Sequence, residues 1–264
     1  MERTAPRINR QQMVEDLRVL AEAAGKVTLR YYGKGDEMEL REKADSSPVT
    51  KADEACEVLI LEALAQQTPD IPVISEEAAE AGKLPSLLAQ QSFWLVDPLD
   101  GTKEFISGNG EFTVNIALIE GGRPVMGVVH APALGKTWIG ADGRAFFASS
   151  EAPLSPIESR QRPEAGLTVV ASRRHGTGGE LEDFLAGYSI AERVSAGSSL
   201  KFCLVAQGDA DLYPRFGRTM EWDTAAGQAV LEAAGGHVET REGTPLTYGK
   251  PGFENPFFIA HGRT

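Results

Sequence analysis

The sequence predicts an α+β protein, and three observations carry that reading. Apolar residues near the start recur at helical spacing. Residues from about 71 to 149 read as short buried strands and a hairpin. From about 167 onward, strand-like and helix-like stretches alternate.

In chain order, Met13, Leu17, Leu20, Ala24, Val27 and Tyr31 follow spacings of four and three, one stripe on a long amphipathic helix. "YYGKGDEMELREKADSSPVTKAD" breaks that helix with glycines and charges, and a second helix runs from Ala52 to Gln67. "IPVIS" is a short buried strand with Glu76 and Glu77 at its end, and "SFWLVD" is another, ending in aspartates. "FTVNIALIEGGRPVMGVVHAP" has the pattern of a hairpin turning at Glu120 to Pro124, continued by "KTWIGADGRAFFA". Two helices thus precede a largely antiparallel sheet. Residues 148–166 are rich in Ser, Pro and Glu and divide the chain into halves at 1–150 and 151–264. Beyond them come "LTVVAS" (strand), "GGELEDFLAG" (helix), "IAERVS" (strand), "GSSLKFCLVAQG" (helix), "ADLYPRF" (strand), "WDTAAGQAVLEAAGG" (helix) and the strands "HVET" and "PFFIA".

The chain has 264 residues, 42% hydrophobic and 24% charged, enough to bury a proper core. A net charge of −12 argues against a general nucleic-acid binder, which needs a basic face. It leaves open an anionic small substrate, because bound cations can reverse the field at one site. Cys56 and Cys203 lie in apolar, helix-like surroundings and outside any CxxC, so they read as core thiols in a reducing compartment. The first residues lack an apolar signal region, and no run of about 18 apolar residues occurs, so a cytoplasmic protein is the expectation.

The chemistry is concentrated in "WLVDPLDGTKEF", residues 94–105, where an apolar run ends in Asp97 and Asp100. Carboxylates at the end of a buried strand are costly to desolvate and repel each other unless a cation neutralises them. Glu76, Asp97, Asp100 and the distant Asp223 all stand at element ends, and an all-oxygen donor set suits a hard divalent ion such as Mg²⁺. The bland alternatives are a turn at Asp100-Gly101 and an N-cap role for Asp223 before a helix starting at Thr224. An EF-hand loop started at Asp97 fails, since its third position is Leu99 and its twelfth is Gly108. The Asp-x-Asp-Gly-Thr pattern of aspartyl-nucleophile phosphatases fails because Pro98 stands two before Asp100. No P-loop, GxGxxG, HExxH or GxSxG occurs.

"WLVDPLDGTKEF", with "SEE" upstream, "SPVTKADEA" and "EWDTAAGQAVLEAAGG", resembles the inositol monophosphatase superfamily of metal-dependent, lithium-sensitive phosphatases across nearly the whole chain. "GSSLKFCLVAQGDADLYPRFG" followed by "EWDTAAG" is similar to its bacterial 3′(2′),5′-bisphosphate nucleotidase branch. The resemblance implies a layered αβαβα sandwich like that of inositol monophosphatase and fructose-bisphosphatase. It implies hydrolysis of the 3′-phosphate of adenosine 3′,5′-bisphosphate to AMP and phosphate, in sulfur assimilation and nucleotide recycling. Its metal ligands would be Glu76, Asp97, the Leu99 carbonyl, Asp100 and Asp223, holding two or three Mg²⁺ ions. One ion would lower the pKa of a water and the other would hold the phosphate. By the same match Glu76, Asp53 and Thr102 serve catalysis, Thr102 orienting the water and Asp53 accepting from its hydroxyl. Gly101 and Thr102 would offer backbone N–H groups to the phosphate, and Asp223 would also face the substrate. Members occur as monomers and homodimers. Some are peripheral to the inner membrane, a setting the charge of −12 gives no support.

For the nucleotide the candidates are His175, Ser198, Lys201 and Arg215. "ASRRHG" gathers Arg173, Arg174 and His175 into a cationic cluster in an acidic chain. Ser198 and Lys201, three apart, are expected on one helix face near its N-terminus, a natural anion site. Trp94, Phe105 and Phe112 are expected in the core and Trp222 against the Asp223 loop, while His130, His237 and His261 show no partner spacing. The rival reading is a phosphatase of the same fold acting on inositol monophosphate or fructose 1,6-bisphosphate. A non-catalytic relative would have lost a ligand or Thr102, and none is missing.

Overall fold

The structure, a computed structural model, describes residues 10–35, 40–42, 48–85, 87, 91–172 and 179–264. Helices α1 (Arg10–Leu29) and α2 (Lys51–Gln67) come first, with the two-residue strands β1 (Arg41–Glu42) and β2 (Pro48–Val49) paired between them. Seven strands then form one sheet in unbroken chain order: β3 (Val73–Ser75), β4 (Phe93–Asp100), β5 (Thr113–Glu120), β6 (Arg123–Ala131), β7 (Lys136–Ala141), β8 (Arg144–Ser149) and β9 (Ala152–Ile157). All neighbours are antiparallel except β3 and β4. Short helices α3 (Glu76–Glu80) and α4 (Thr102–Ser107) leave the ends of β3 and β4. The second sheet has the order β11 (Ile190–Ser195), β10 (Leu167–Ala171), β12 (Leu212–Arg215), β14 (Phe258–His261), β13 (His237–Thr240). Helices α5 (Gly179–Leu185), α6 (Leu200–Ala206) and α7 (Glu221–Ala233) accompany it.

Strand alternation explains the layering. Successive side chains point to opposite faces of a sheet. On β4, Trp94 and Val96 join Leu17, Ala21, Cys56 and Ile60 of α1 and α2, whereas Phe93 and Leu95 join Ala226 and Val230 of α7 and Phe202 of α6. The far side of α6 and α7 meets Val170, Tyr213, Val238 and Phe258 of the second sheet. The outer face of that sheet, through Val169, Leu212 and Ile259, packs on Leu181 and Leu185 of α5. The result is the αβαβα sandwich expected. Helix α7 lies close on the first sheet because two strand positions carry no side chain. A Cβ on Gly127 would lie 2.8 Å from the Ala226 carbonyl, and one on Gly140 would lie 2.5 Å from that of Ala229.

The divide at 150/151 corresponds to the turn between β8 and β9, inside the first sheet. The sheet closes only at Ile157, and residues 158–166 cross to the second sheet. Pro153 and Pro156 gave this stretch the look of a linker, but β9 is the last strand of its sheet, and an edge strand tolerates proline. Cys56 and Cys203 are both buried free thiols, as expected.

His130 is a buried imidazole of β6 whose Nδ1 lies 2.9 Å from the Thr137 hydroxyl of β7. Burial, above all, pulls its pKa from 6.5 down to about 4. Because the folded value is the depressed one, the neutral ring's contribution is complete above pH 6.5 and is lost as pH falls toward 4. At pH 5 this amounts to about 2 kcal/mol. Chemical denaturation at pH 7 and pH 5 is expected to show that loss in the parent and only a small part of it in His130→Asn. Equal losses in both would remove His130 as the cause.

Candidate active site

The sequence motif folds as a bulge. Strands β4 and β5 stay in register to Asp97 opposite Asn115, and the next pair is Asp100 opposite Thr113. Three steps on one strand match two on the other, so the extra residue in Asp97–Asp100 turns the strand end and re-aims both carboxylates. Asp97 is almost fully buried, and its Oδ1 accepts from the Leu99 N–H at 3.0 Å. The Pro98 carbonyl accepts from the Cys56 thiol of α2 at 3.1 Å, and the Leu99 carbonyl faces the Thr102 hydroxyl at 3.4 Å.

Asp100 joins the two halves of the chain. Its Oδ2 accepts from the Ser199 N–H at 2.7 Å and lies 3.3 Å from the Asn115 amide. Its carbonyl is 2.7 Å from the Ser198 hydroxyl, which also lies 2.8 Å from the carbonyl of Glu111. The Ser199 hydroxyl in turn donates to the Asp223 carbonyl at 2.7 Å. Gly101 sits between, at φ +91, and a Cβ there would lie 2.1 Å from Ser198 Oγ, so both conformation and space demand glycine.

Glu76 opens α3, and Asp223 lies in the first turn of α7. Asp223 is therefore not the cap of a helix starting at Thr224. The helix starts at Glu221, and Asp223 Oδ2 accepts from the Met220 N–H at 2.8 Å. Its carboxyl is raised to about 8, first by burial and then by the charges of Asp100 and Glu76. The three carboxylates are thus close enough to repel, and an all-oxygen cluster of this kind fits a hard cation.

The remaining expected residues are placed unevenly. Asp53 is 1% exposed, far from the solvated helix-face acid that is the default for an isolated aspartate. Its Oδ2 accepts from the Thr50 N–H at 2.8 Å and the Thr50 hydroxyl at 2.7 Å, closing a capping box at the start of α2. Asp53 thus accepts from Thr50, while the Thr102 hydroxyl contacts the Leu99 carbonyl. His175 lies outside the described residues, as do Arg173 and Arg174.

Ser198 and Lys201 do not share a helix face. Ser198 has φ +46 and precedes α6, which begins at Leu200. The Lys201 ammonium is buried and turns back to the carbonyls of Ser198 at 2.5 Å and Ala196 at 3.3 Å. Burial lowers its pKa to about 8, against the pull of Asp100. Lys201 therefore supports the turn that delivers Ser198 and Ser199 to Asp100, and both Ser198 and Lys201 line the cleft that Asp100 shares with Arg215. Lys201→Met is expected to cost about 1–3 kcal/mol in urea denaturation, because two buried carbonyls lose a charged donor. A change confined to substrate affinity, with stability untouched, would make substrate contact, rather than support of the turn, its main part.

Arg215 closes one cleft with Asp100, Gly101, Asp223, Ser198 and Lys201, together with Lys103, Ser172 and Thr219. Its Nη2 donates to the Arg218 carbonyl at 3.0 Å, while its Nε is buried with no hydrogen-bond partner. Lys103, Asn115 and Ser199 were not singled out from sequence. Lys103 adjoins the Asp-Gly-Thr run and could have been, but the other two depend on pairings made only in the folded chain. Trp222, next to Asp223, is buried in the core, and its ring meets Phe253 at 6.1 Å between centroids.

Comparison with known proteins gives consistent results. The profile of the Inositol monophosphatase family matches residues 9–256. The 3′(2′),5′-bisphosphate nucleotidase CysQ of Salmonella typhimurium is 49% identical over 247 residues, 93% of this chain and 98% of that protein. CysQ of Escherichia coli K12 is 46% identical with the same coverage. Among solved structures, CysQ from Bacteroides thetaiotaomicron matches with a TM-score of 0.80 and 36% identity, covering 97% of this chain and 99% of that one. The Thermotoga maritima IMPase matches with a TM-score of 0.76 and 25% identity over 95% and 92% of the two chains.

Proposed function

Because this chain belongs to the inositol monophosphatase family and is a phosphomonoesterase, we propose that it removes the 3′-phosphate of adenosine 3′,5′-bisphosphate, giving AMP and phosphate. The observation that carries the substrate is one cleft lined both by Asp100 and Asp223 and by the cations Lys103, Lys201 and Arg215. An inositol monophosphate has one phosphate to offer. A substrate with a second phosphate uses the cations that the carboxylate cluster does not need. The names of the CysQ relatives support the same reading.

Glu76, Asp97, Asp100, Asp223 and the Leu99 carbonyl would hold divalent cations, Mg²⁺ in this proposal, two or three in number. When bound, such ions supply Lewis acidity and counter-charge to the transferring phosphoryl group. The chain's own part is positioning. The bulge at Asp97–Asp100 fixes two carboxylates and a carbonyl, and Ser199 holds Asp100 against the second half of the chain. Gly101 makes room for the Ser198 hydroxyl, and its own N–H and that of Thr102 would face a phosphate oxygen. The Thr102 hydroxyl can turn from its long 3.4 Å contact with Leu99 toward an attacking water, and Asp53 steadies the start of α2 behind it. Arg215, its Nε unpartnered, takes the phosphate that is not cleaved. Sensitivity to lithium and a place in sulfur assimilation belong to the same proposal. No helix among the described residues is long and apolar enough to cross a membrane.

The test is phosphate release with Mg²⁺ from adenosine 3′,5′-bisphosphate, inositol 1-phosphate and fructose 1,6-bisphosphate. A kcat/KM for the nucleotide at least about tenfold above both others is expected, worth about 1.4 kcal/mol of discrimination. Equal or faster turnover of either sugar phosphate would replace the nucleotide by that substrate.

A further inference from the structure

Two histidines with no pattern in the sequence meet in the second sheet. Strands β13 and β14 pair antiparallel with His237 directly opposite His261, and Glu239 lies two residues along β13 on the same face. The two imidazoles stack with centroids 4.6 Å apart and planes 7° from parallel. One nitrogen of each ring and a Glu239 oxygen all lie within 4.8 Å of one another. His261 Nε2 is buried and 3.3 Å from Glu239 Oε1, yet it makes no aligned hydrogen bond. A buried polar atom left so is costly, and a shared ion would satisfy it.

We propose that His237, Glu239 and His261 form a second metal site, separate from the carboxylate cluster, for Zn²⁺ or a similar borderline divalent ion. Imidazole and carboxylate donors with no thiolate suit Zn²⁺, Ni²⁺ and Co²⁺ better than the hard ions that an all-oxygen site takes. A tetrahedral ion with bonds of about 2.0–2.2 Å needs its donors about 3.3–3.5 Å apart with converging lone pairs, so the two rings must turn out of their parallel stack to bind it. All three residues are half-buried, so an ion can enter from solvent while a water fills the fourth position. Burial and the neighbouring His237 also hold His261 below its ordinary pKa, leaving its ring neutral and able to ligate.

The experiment is calorimetric titration of the tag-free full chain with Zn²⁺ in saturating Mg²⁺, repeated with Co²⁺ to read nitrogen ligation from its visible bands. One Zn²⁺ per chain is expected, with affinity at least about tenfold weaker in His237→Phe and in His261→Phe. Phenylalanine keeps the ring stack, and Mg²⁺-supported phosphatase activity should stay within about twofold of the parent. Glu239→Gln, at a ligand more exposed than His261, should also weaken Zn²⁺ at least tenfold and serves if a histidine variant fails to fold. Absence of Zn²⁺ uptake by the parent, or undiminished uptake by the variants that fold, overturns the proposal.

Discussion

Asp100→Asn is expected to lower phosphate release from adenosine 3′,5′-bisphosphate more than about a hundredfold, while the metal-free protein melts at or above the parent temperature. The two effects have one cause. Asp100 is among the charges that push the Asp223 carboxyl up to about 8, so its removal relieves repulsion in the folded chain. The asparagine oxygen can still accept from the Ser199 N–H that Asp100 Oδ2 now takes at 2.7 Å, so the link between the halves survives. The charge that attracts a cation does not. Function and stability thus pull apart at this residue. Activity assays and thermal melts in chelator decide the matter. A variant keeping more than a tenth of the parent rate removes Asp100 from the reaction. A melting point lowered by more than about 5 °C would instead make the loss of rate a folding defect.

Arg215→Ala is expected to raise KM for the bisphosphate by about thirty- to several-hundredfold, the equivalent of about 2–4 kcal/mol, with kcat changed far less. Turnover of inositol 1-phosphate, slow as it is expected to be, should move less than about threefold, since that substrate has nothing for this guanidinium to hold. Arg215→Lys should recover only part of the affinity, because an ammonium cannot replace the planar fork. Steady-state kinetics on both substrates check this. Equal loss on the two would make Arg215 a support of the carboxylate cluster rather than a reader of the second phosphate, consistent with its downward pull on the Asp223 pKa.

Much of the sandwich was legible because its driving force is local. The stripe of Met13, Leu17 and Leu20 and the apolar runs in β4, β5 and β6 declare their periodicity, and both layers follow from it. Strand β9 was hidden because Pro153, Ser155 and Pro156 compose an edge strand from the residues of a linker. The shared helix face for Ser198 and Lys201 failed because a serine at φ +46 looks like any other serine in a sequence. The carboxylates of the candidate site were legible through their cost, since nothing but a site explains acids after so apolar a run. Their partners were not. Asn115 meets Asp100 through a one-residue bulge, and His237 meets His261 through a strand pairing that spans 24 residues of sequence, neither of which spacing reveals.

Strand β14 lies between β12 and β13, so the last strand of the chain occupies the interior of the second sheet. Proteins are synthesised from the N-terminus. Until residues 258–261 appear, a growing chain holds β12 and β13 as two open edges with no common neighbour, and Phe258 and Ala260 are missing from the shared core. A nonsense codon between Asp223 and Phe258 therefore leaves a product that carries every carboxylate of the site and cannot close the sheet behind them. Such a product is a substrate for proteases rather than a slow enzyme.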